Sequence, residues 1–328
     1  MAEATKIEWA DSTLNPWIGC TKIAPACDFC YAADWSRRYG RAEWGNHPRE
    51  RTSSATWNAA RKWQAGAAAF YLEHGRRRRV FCASLADVFD NQVPAEWRED
   101  LWALIRECPD LNFLMLTKRP QNIKKMLPAF WDEVRGHVWL GTTVEDQAHA
   151  DANIPYLLQH DSAVRFVSCE PLLGPIDFSR IVPSDHRPGS KYGRNALSQY
   201  DYCEECGEDD WLPRIDWVIA GGESGPHARP SSIQWYRALR DQCAATGVPF
   251  LFKQWGEWQP AGAVRSGMPG RFAFGDYEHD PSRMILIDHY PRQFTMFGAR
   301  SVVQRIGKKA AGRLLDGVEH NDFPEVRQ

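Results

Sequence analysis

Three cysteines near the start of the chain have a spacing that suits metal binding. Cys20, Cys27 and Cys30 form a C-x6-C-x2-C pattern within the segment GCTKIAPACDFCYA. A C-x2-C pair lets two thiolates converge on one metal centre within a tight turn, and the longer gap can bring in the third thiolate. The next Cys or His residues along the chain, His47 and Cys82, are distant in sequence.

Three thiolates without a nearby fourth ligand leave three interpretations open. A structural zinc site would need a fourth protein ligand. A four-iron cluster can be held by three Cys thiolates, which leaves one iron free for a small molecule. Three unrelated core cysteines are the third possibility, but burial alone does not explain their grouping in one short loop. The spacing therefore favours an iron–sulfur cluster held by Cys20, Cys27 and Cys30.

A second C-x2-C pair, Cys203 and Cys206, stands in the segment YCEEC. Two ligands do not complete a closed zinc site, so zinc there would need His186 or another distant residue. Free thiols on a loop and a second cluster are the alternatives. The start of the chain has no export signal, so the nine cysteines are not expected to form a disulfide framework.

Charged and small residues follow several short apolar runs. Because the carboxyl ends of parallel strands meet at one edge of a sheet, these residues are expected to surround one site. They are Ser84, Asp87, Lys118, Arg119, Thr142, Thr143, Glu145, Glu170, Gly222, Glu223, Arg229, Lys253 and Trp255. The cations that could bind a phosphate or carboxylate on a substrate are Lys118, Arg119, Arg229 and Lys253. Trp255 could stack a base or ring, and Gly222 would allow a ligand to approach the backbone closely.

The apolar runs themselves predict the elements that position these residues. They are NPWIG (15–19), RVFCASL (79–85), LNFLMLT (111–117), HVWLGTT (137–143), AVRFVSC (163–169), IDWVIAG (215–221) and VPFLFKQ (248–254). Continuous apolar runs suit strands buried on both faces, as in a parallel sheet. Segments of helical character lie between them, for example at 94–108 and 232–246. Seven such units predict an α/β fold and favour a partial or full (β/α) TIM-like barrel over a six-stranded open sheet.

Two regions depart from this alternation. Residues 179–214 contain Pro, Gly, Ser and Asp without a clear period, and they predict an irregular insertion between the fifth and sixth units. Residues 259–328 are mixed in character and predict a C-terminal extension that packs on the barrel. The predicted organisation is therefore a barrel over residues 1–258, interrupted by the insertion and followed by the extension.

The cysteine loop, with an aromatic residue between its last two thiols, resembles that of radical S-adenosylmethionine enzymes. Phe29 occupies the aromatic position. The commonest spacing in that superfamily is C-x3-C-x2-C, and the longer first gap here departs from it. From about residue 5 to residue 325, the chain resembles a phage- and bacteria-borne radical-SAM-like protein family of unknown function. The motifs that carry this resemblance, in chain order, are NPWIGC, CDFCYA, LTKRP, GTTVEDQ, CEPLLGPID, GGESGP, FKQWG and GKKAAGRLLDG.

The resemblance implies a barrel with a 4Fe–4S cluster at its mouth, in which the three cysteines hold three irons and S-adenosylmethionine chelates the fourth. One electron from an external donor would cleave the sulfonium C–S bond, and the deoxyadenosyl radical would abstract hydrogen from the substrate. Glu170 or Glu223 could pair with the ammonium group of S-adenosylmethionine. The residues expected at this cofactor are Phe29, Ser84, Asp87, Thr142, Thr143, Glu145, Glu170, Gly222 and Glu223.

The composition narrows the functional classes. Forty Lys and Arg against 42 Asp and Glu leave a net charge of -2, which argues against coating of a polyanion but allows a local basic groove. No run of about 18 apolar residues is present, so no membrane association is expected. The start also lacks a signal sequence, and a cytoplasmic location is predicted.

Two functional classes are therefore retained. The first is a radical S-adenosylmethionine enzyme whose unknown substrate is a nucleotide, a nucleic acid or a partner protein. The alternative is a non-catalytic zinc protein that binds nucleic acid or a protein partner. A metal-dependent hydrolase ranks last, because no His-rich ligand set stands at recognisable spacing.

Overall fold

The structure is a computed structural model that describes residues 4–181, 193–202, 209–211, 213–261, 269–275, 281–289 and 301–326. The strands in these ranges are β1 (Ser12–Leu14), β2 (Trp17–Ile18), β3 (Glu50–Arg51), β4 (Arg78–Cys82), β5 (Leu111–Thr117), β6 (Val138–Thr143), β7 (Val164–Cys169), β8 (Tyr200–Tyr202), β9 (Asp209–Trp211), β10 (Trp217–Gly221), β11 (Phe250–Gln254), β12 (Trp258–Pro260), β13 (Pro269–Gly275), β14 (Ile285–His289) and β15 (Ser301–Arg305). The α-helices are α1 (Tyr31–Arg38), α2 (Ser54–Ala65), α3 (Ala67–His74), α4 (Ala95–Arg106), α5 (Ile123–Met126), α6 (Trp131–Val134), α7 (Gln147–Leu158), α8 (Ile233–Thr246) and α9 (Lys308–Ala311).

The main sheet contains seven parallel strands in the order β1-β4-β5-β6-β7-β10-β11. The sheet is open, because β1 and β11 are its two edges and do not pair with each other. The prediction of a TIM-like barrel is therefore wrong. The physical reason lies at the outer edge of β11, which pairs with the C-terminal segment and not with β1. Phe252 N donates to His320 O, and Leu251 forms a bridge with Asn321.

Six of the seven apolar runs coincide with strands of the main sheet, and the first run does not. Residues 15–19 contain β2, which pairs antiparallel with β3 in a separate ribbon. The first main-sheet strand is instead β1, which pairs with β4 and ends at Leu14. Pro16 follows closely and has no N–H group to continue a ladder of hydrogen bonds, so the strand cannot extend through this position.

The two faces of the main sheet carry different side chains. One face packs against α2, α4, α7 and α8 in the larger hydrophobic cluster. The opposite face carries a second cluster that is rich in aromatic rings, including Trp9, Phe81, Trp139, Phe166 and Trp217. We call it the aromatic face. Successive side chains of a strand point to opposite faces, and both faces of this sheet carry apolar clusters. The strands therefore appear in the sequence as continuous apolar runs.

The aromatic face becomes polar towards the carboxyl ends of its strands. On β7, Phe166 is followed two residues later by Ser168, and on β6, Trp139 is followed by Gly141 and then Thr143. A Cβ atom on Gly141 would collide with the ring of Phe166, so glycine makes room for this ring. The aromatic side chains therefore form an apolar layer beneath a polar rim.

The C-terminal part of the chain forms a second sheet and then returns to the first. Strands β12, β15, β13 and β14 form a four-stranded antiparallel sheet in that order. Beyond α9, the ring of Phe323 packs 5.0 Å from the ring of Trp217, on the aromatic face.

Part of the region predicted as an insertion is also described. Strands β8 and β9 pair antiparallel, and the buried side chains of Ala196 and Leu197 join the larger hydrophobic cluster. Cys203, Cys206 and His186, the residues of the predicted second metal site, lie outside the described residues. Within the described ranges, no helix combines the length and the apolar character needed to cross a membrane.

Candidate functional site

A cavity of about 470 Å³ lies at the polar rim of the main sheet. Phe81 and Leu116, from the aromatic face, form part of its wall. The predicted site residues that line it are Cys20, Cys27, Cys30, Ser84, Asp87, Lys118, Arg119, Thr143, Glu170 and Lys253. The carboxyl ends of the parallel strands thus bring together side chains that are as much as 233 positions apart, from Cys20 to Lys253.

The segment 20–30, which we call the cysteine loop, carries all three thiols of the C-x6-C-x2-C pattern to this cavity. Cys27 is buried, whereas Cys20 and Cys30 are half-buried, and all three are free thiols. Their chemistry suits iron–sulfur ligation, which uses Cys thiolates. The three sulfur atoms are not arranged as a set of metal ligands, because no group of three or more His, Cys, Asp or Glu among the described residues could hold a metal ion. Binding a cluster would therefore require the three sulfur atoms to move closer together.

Arg119 holds the first end of the cysteine loop. Its Nη2 donates to Thr21 O at 2.8 Å, and its Nη1 lies 3.5 Å from Cys20 Sγ. The same Nη1 donates to Asp87 Oδ2 at 3.0 Å, and Asp87 also accepts from the Thr117 hydroxyl at 2.8 Å. Burial raises the pKa of the Cys20 thiol to about 12, with Asp87 adding to the shift and Arg119 opposing it. A metal ion that binds this sulfur must therefore displace a proton.

A buried ion pair supports the same end of the loop. The side chains of Arg49 and Asp90 are 0% and 3% exposed, and Arg49 Nη2 lies 2.6 Å from Asp90 Oδ2. Arg49 Nη2 also donates to Thr21 Oγ1 at 2.8 Å. Neither residue was predicted at the site. Asp90 lies beyond the carboxyl end of β4, but nothing in the sequence marks Arg49 as its partner.

Glu145 holds the middle of the cysteine loop. Its side chain is almost fully buried, and its Oε1 accepts a hydrogen bond from Ala26 N at 3.1 Å. It does not line the 470 Å³ cavity. Glu145 therefore binds the backbone next to Cys27 and does not lie on the cavity wall, where a contact with the cofactor was predicted.

Arg229 and Glu223 hold the last part of the loop. Glu223 is buried and accepts from Arg229 Nε at 2.9 Å and from Nη2 at 2.7 Å. Arg229 in turn donates to Pro25 O at 2.8 Å and to Asp28 Oδ2 at 3.1 Å. Its guanidinium lies 5.1 Å from the centre of the Phe29 ring. Glu223 was predicted to contact the cofactor and Arg229 to contact the substrate. In the structure Glu223 binds Arg229, and Arg229 binds the cysteine loop.

Other predicted residues keep polar groups at the cavity wall. Lys253 Nζ lies 2.7 Å from Glu170 Oε2, and Lys118 Nζ donates to Thr143 Oγ1 at 3.2 Å. Ser84 accepts from the side chain of Asn15 at 3.0 Å. Lys118, Thr143, Glu170 and Lys253 are thus predicted residues whose side chains can meet a ligand at this wall.

Three further predicted residues lie away from the cavity wall. Thr142 is fully buried and donates to Thr117 O at 3.0 Å. Gly222 faces the backbone of Trp255, because a Cβ atom there would collide with the Trp255 carbonyl oxygen, so its close approach is to the chain itself. Trp255 is buried, and its ring centre lies 5.1 Å from that of Tyr236, so it packs the core.

The fold and the site together define an α/β protein in which an open parallel sheet carries a three-thiol loop over a cavity at its carboxyl edge. A family model described as a protein of unknown function, DUF5131, matches residues 4–324, and the chain belongs to this DUF5131 family. No curated protein and no solved structure matches the chain.

Proposed function

We propose that this protein is an iron–sulfur enzyme that uses S-adenosylmethionine for radical chemistry. The observation that carries the proposal is that Cys20, Cys27 and Cys30, all free thiols on one loop, line the same cavity. They would hold three irons of a 4Fe–4S cluster. When bound and reduced, such a cluster supplies the electron that cleaves the sulfonium bond of S-adenosylmethionine.

The residues of the chain would then divide into two groups. Arg119, Glu145 and Arg229 hold the cysteine loop through Thr21 O, Ala26 N and Pro25 O, and they act as positioning residues. The second group remains at the cavity wall, where Glu170 could pair with an ammonium group and Thr143 could meet ribose hydroxyls.

The proposal also names what must come from outside the chain. The enzyme would need an external electron donor and a substrate, for which a nucleotide, a nucleic acid and a partner protein are the candidates. We place the protein in the cytoplasm, which is a reducing compartment. The seven described cysteines are free thiols, as that compartment favours.

The test is anaerobic reconstitution with iron and sulfide, followed by dithionite and S-adenosylmethionine. We expect about four irons per chain and absorption in the visible range, and then formation of 5′-deoxyadenosine. Cys27→Ala should lose iron and activity, whereas Cys108→Ala, which changes a buried thiol away from the cavity, should keep both. Stoichiometric zinc, no colour after reconstitution and no cleavage would refute the proposal and favour the zinc-binding alternative.

A further inference from the structure

The wall of the cavity carries an excess of positive charge, although the whole chain has a net charge of -2. The basic residues in the wall are Lys6, Lys22, Lys118, Arg119, Lys253 and Lys308. The acidic residues in the wall are Glu8, Asp87 and Glu170. A concave site with an excess of one sign of charge attracts a ligand of the opposite sign.

Three of these basic residues are held by a carboxylate or a backbone carbonyl of the protein. Arg119 pairs with Asp87 at 3.0 Å, and Lys253 pairs with Glu170 at 2.7 Å. Lys22 donates to a backbone carbonyl, that of Asp28. The remaining three, Lys6, Lys118 and Lys308, have no acidic partner within the part of the chain that the structure describes. We call these three residues the lysine set.

The lysine set comes from three separate parts of the fold. Lys6 precedes β1, Lys118 directly follows β5, and Lys308 begins α9. The segment of α9 is fixed beside β11 because Trp255 N donates to Gly312 O at 3.2 Å. Three parts of the chain that are distant in sequence therefore each contribute one lysine to the wall of the same cavity.

The cations of the wall fit a phosphate group. Arginine binds carboxylate and phosphate through its two-pronged geometry, and lysine binds phosphate as a point charge. Among the described residues of the wall, Arg119 is the only arginine, and it contacts Asp87, Thr21 and Cys20. Three ammonium groups suit a phosphate monoester, which carries up to two negative charges.

Aromatic rings at the same wall add a second feature. Tyr31 and Trp44 line the cavity and are not buried. The hydroxyl of Tyr31 donates to Ser84 O at 2.7 Å, which limits the movement of its ring. Such rings can stack nucleobases without selecting one base.

We infer that this cavity binds a free nucleotide, with its phosphate among Lys6, Lys118 and Lys308 and its base against Tyr31 or Trp44. The inference rests on the proposed function only in making the nucleotide a substrate. Binding itself uses neither the three thiols nor a metal, so it can be measured on protein that has not been reconstituted.

Calorimetric titration with adenosine 5′-monophosphate and with adenosine tests the inference. We expect the nucleotide to bind at least about tenfold more tightly, because only it can contact the lysine set. The affinity for the nucleotide should also fall as salt is added, since partly exposed charges are screened.

Substitutions then locate the site. Lys118→Gln and Lys308→Gln should each weaken the binding of adenosine 5′-monophosphate by about fivefold. Neither substitution should change the affinity for adenosine. Lys309→Gln is the matched control, because Lys309 is the exposed neighbour of Lys308 in α9 and does not line the cavity.

Each outcome decides the inference. Equal affinity for nucleotide and nucleoside, or no effect of either lysine substitution, would overturn it. Binding of a 5′-phosphorylated oligonucleotide without binding of the mononucleotide would overturn the choice of a free nucleotide. If the mononucleotide binds as expected but reconstituted protein does not cleave S-adenosylmethionine, the proposed function fails and the binding site stands. If reconstituted protein cleaves S-adenosylmethionine but the mononucleotide does not bind, the nucleotide site is refuted and the proposed function stands.

Discussion

The buried pair of Arg49 and Asp90 gives the sharpest test of how the cysteine loop is supported. Its two side chains are 0% and 3% exposed, and Arg49 also donates to Gly45 O at 2.9 Å and to Thr21 Oγ1 at 2.8 Å. Arg49→Met would leave the Asp90 carboxylate buried without its main partner, and with only the longer contact of 4.0 Å between its Oδ1 and Arg119 Nε in its place. Removing one member of a buried ion pair costs about 3–5 kcal/mol, chiefly because a charge stays buried and unpaired.

Thermal unfolding measures this loss. An unfolding entropy of about 2.1 cal/mol/K per residue implies about 0.7 kcal/mol/K for a chain of this length. The substitution should therefore lower Tm by about 4–7 °C. The control is Arg61→Met, which breaks an ion pair with Glu107 whose side chains are 48% and 51% exposed. An exposed pair contributes at most about 1 kcal/mol, so this control should move Tm by less than about 1.5 °C.

A double substitution separates the unpaired charge from lost packing. Arg49→Met with Asp90→Asn removes the buried negative charge, and the amide oxygen can still accept from Gln92 N, as Asp90 Oδ1 does at 3.1 Å. We expect the double variant to be more stable than Arg49→Met alone. If Arg49→Met shifts Tm no more than Arg61→Met does, or if the double variant is the least stable of the three, the pair does not support the loop in this way.

The strands of the main sheet were predictable because they are buried on both faces. Continuous apolar runs such as 111–117 and 163–169 leave no face for solvent, and the structure places both in the main sheet. Closure of the sheet was not predictable. It depends on the edge of β11, which is paired by residues 320–322, and the polar sequence His-Asn-Asp there gives no sign of a strand partner.

The candidate site was predictable in its location and less so in its details. Because the carboxyl ends of parallel strands converge, Lys118, Glu170 and Lys253 could be predicted to lie close together, and they line one cavity with the thiols. The same rule could not show that Glu145 and Arg229 contact the cysteine loop instead of facing the cavity. Their loop contacts are chiefly with backbone N–H and C=O groups, which every residue carries, so the sequence contains no signal for these pairings.

Two further substitutions test the packing beneath the cavity and the support of the cysteine loop. Gly141→Ala should destabilise the protein by about 1–3 kcal/mol, because the added methyl group meets the Phe166 ring, whereas Gly136→Ala meets no atom and should not. Chemical denaturation measures both. Glu145→Ala should cost about 1–3 kcal/mol and speed hydrogen exchange at the Ala26 amide, because that N–H loses its acceptor. Glu145→Gln keeps an acceptor oxygen in nearly the same shape and should restore most of the protection. Equal exchange in the two variants would mean that the Glu145 hydrogen bond does not hold the loop, and that the thiols are positioned by the other contacts of the loop, such as those of Arg119 and Arg229.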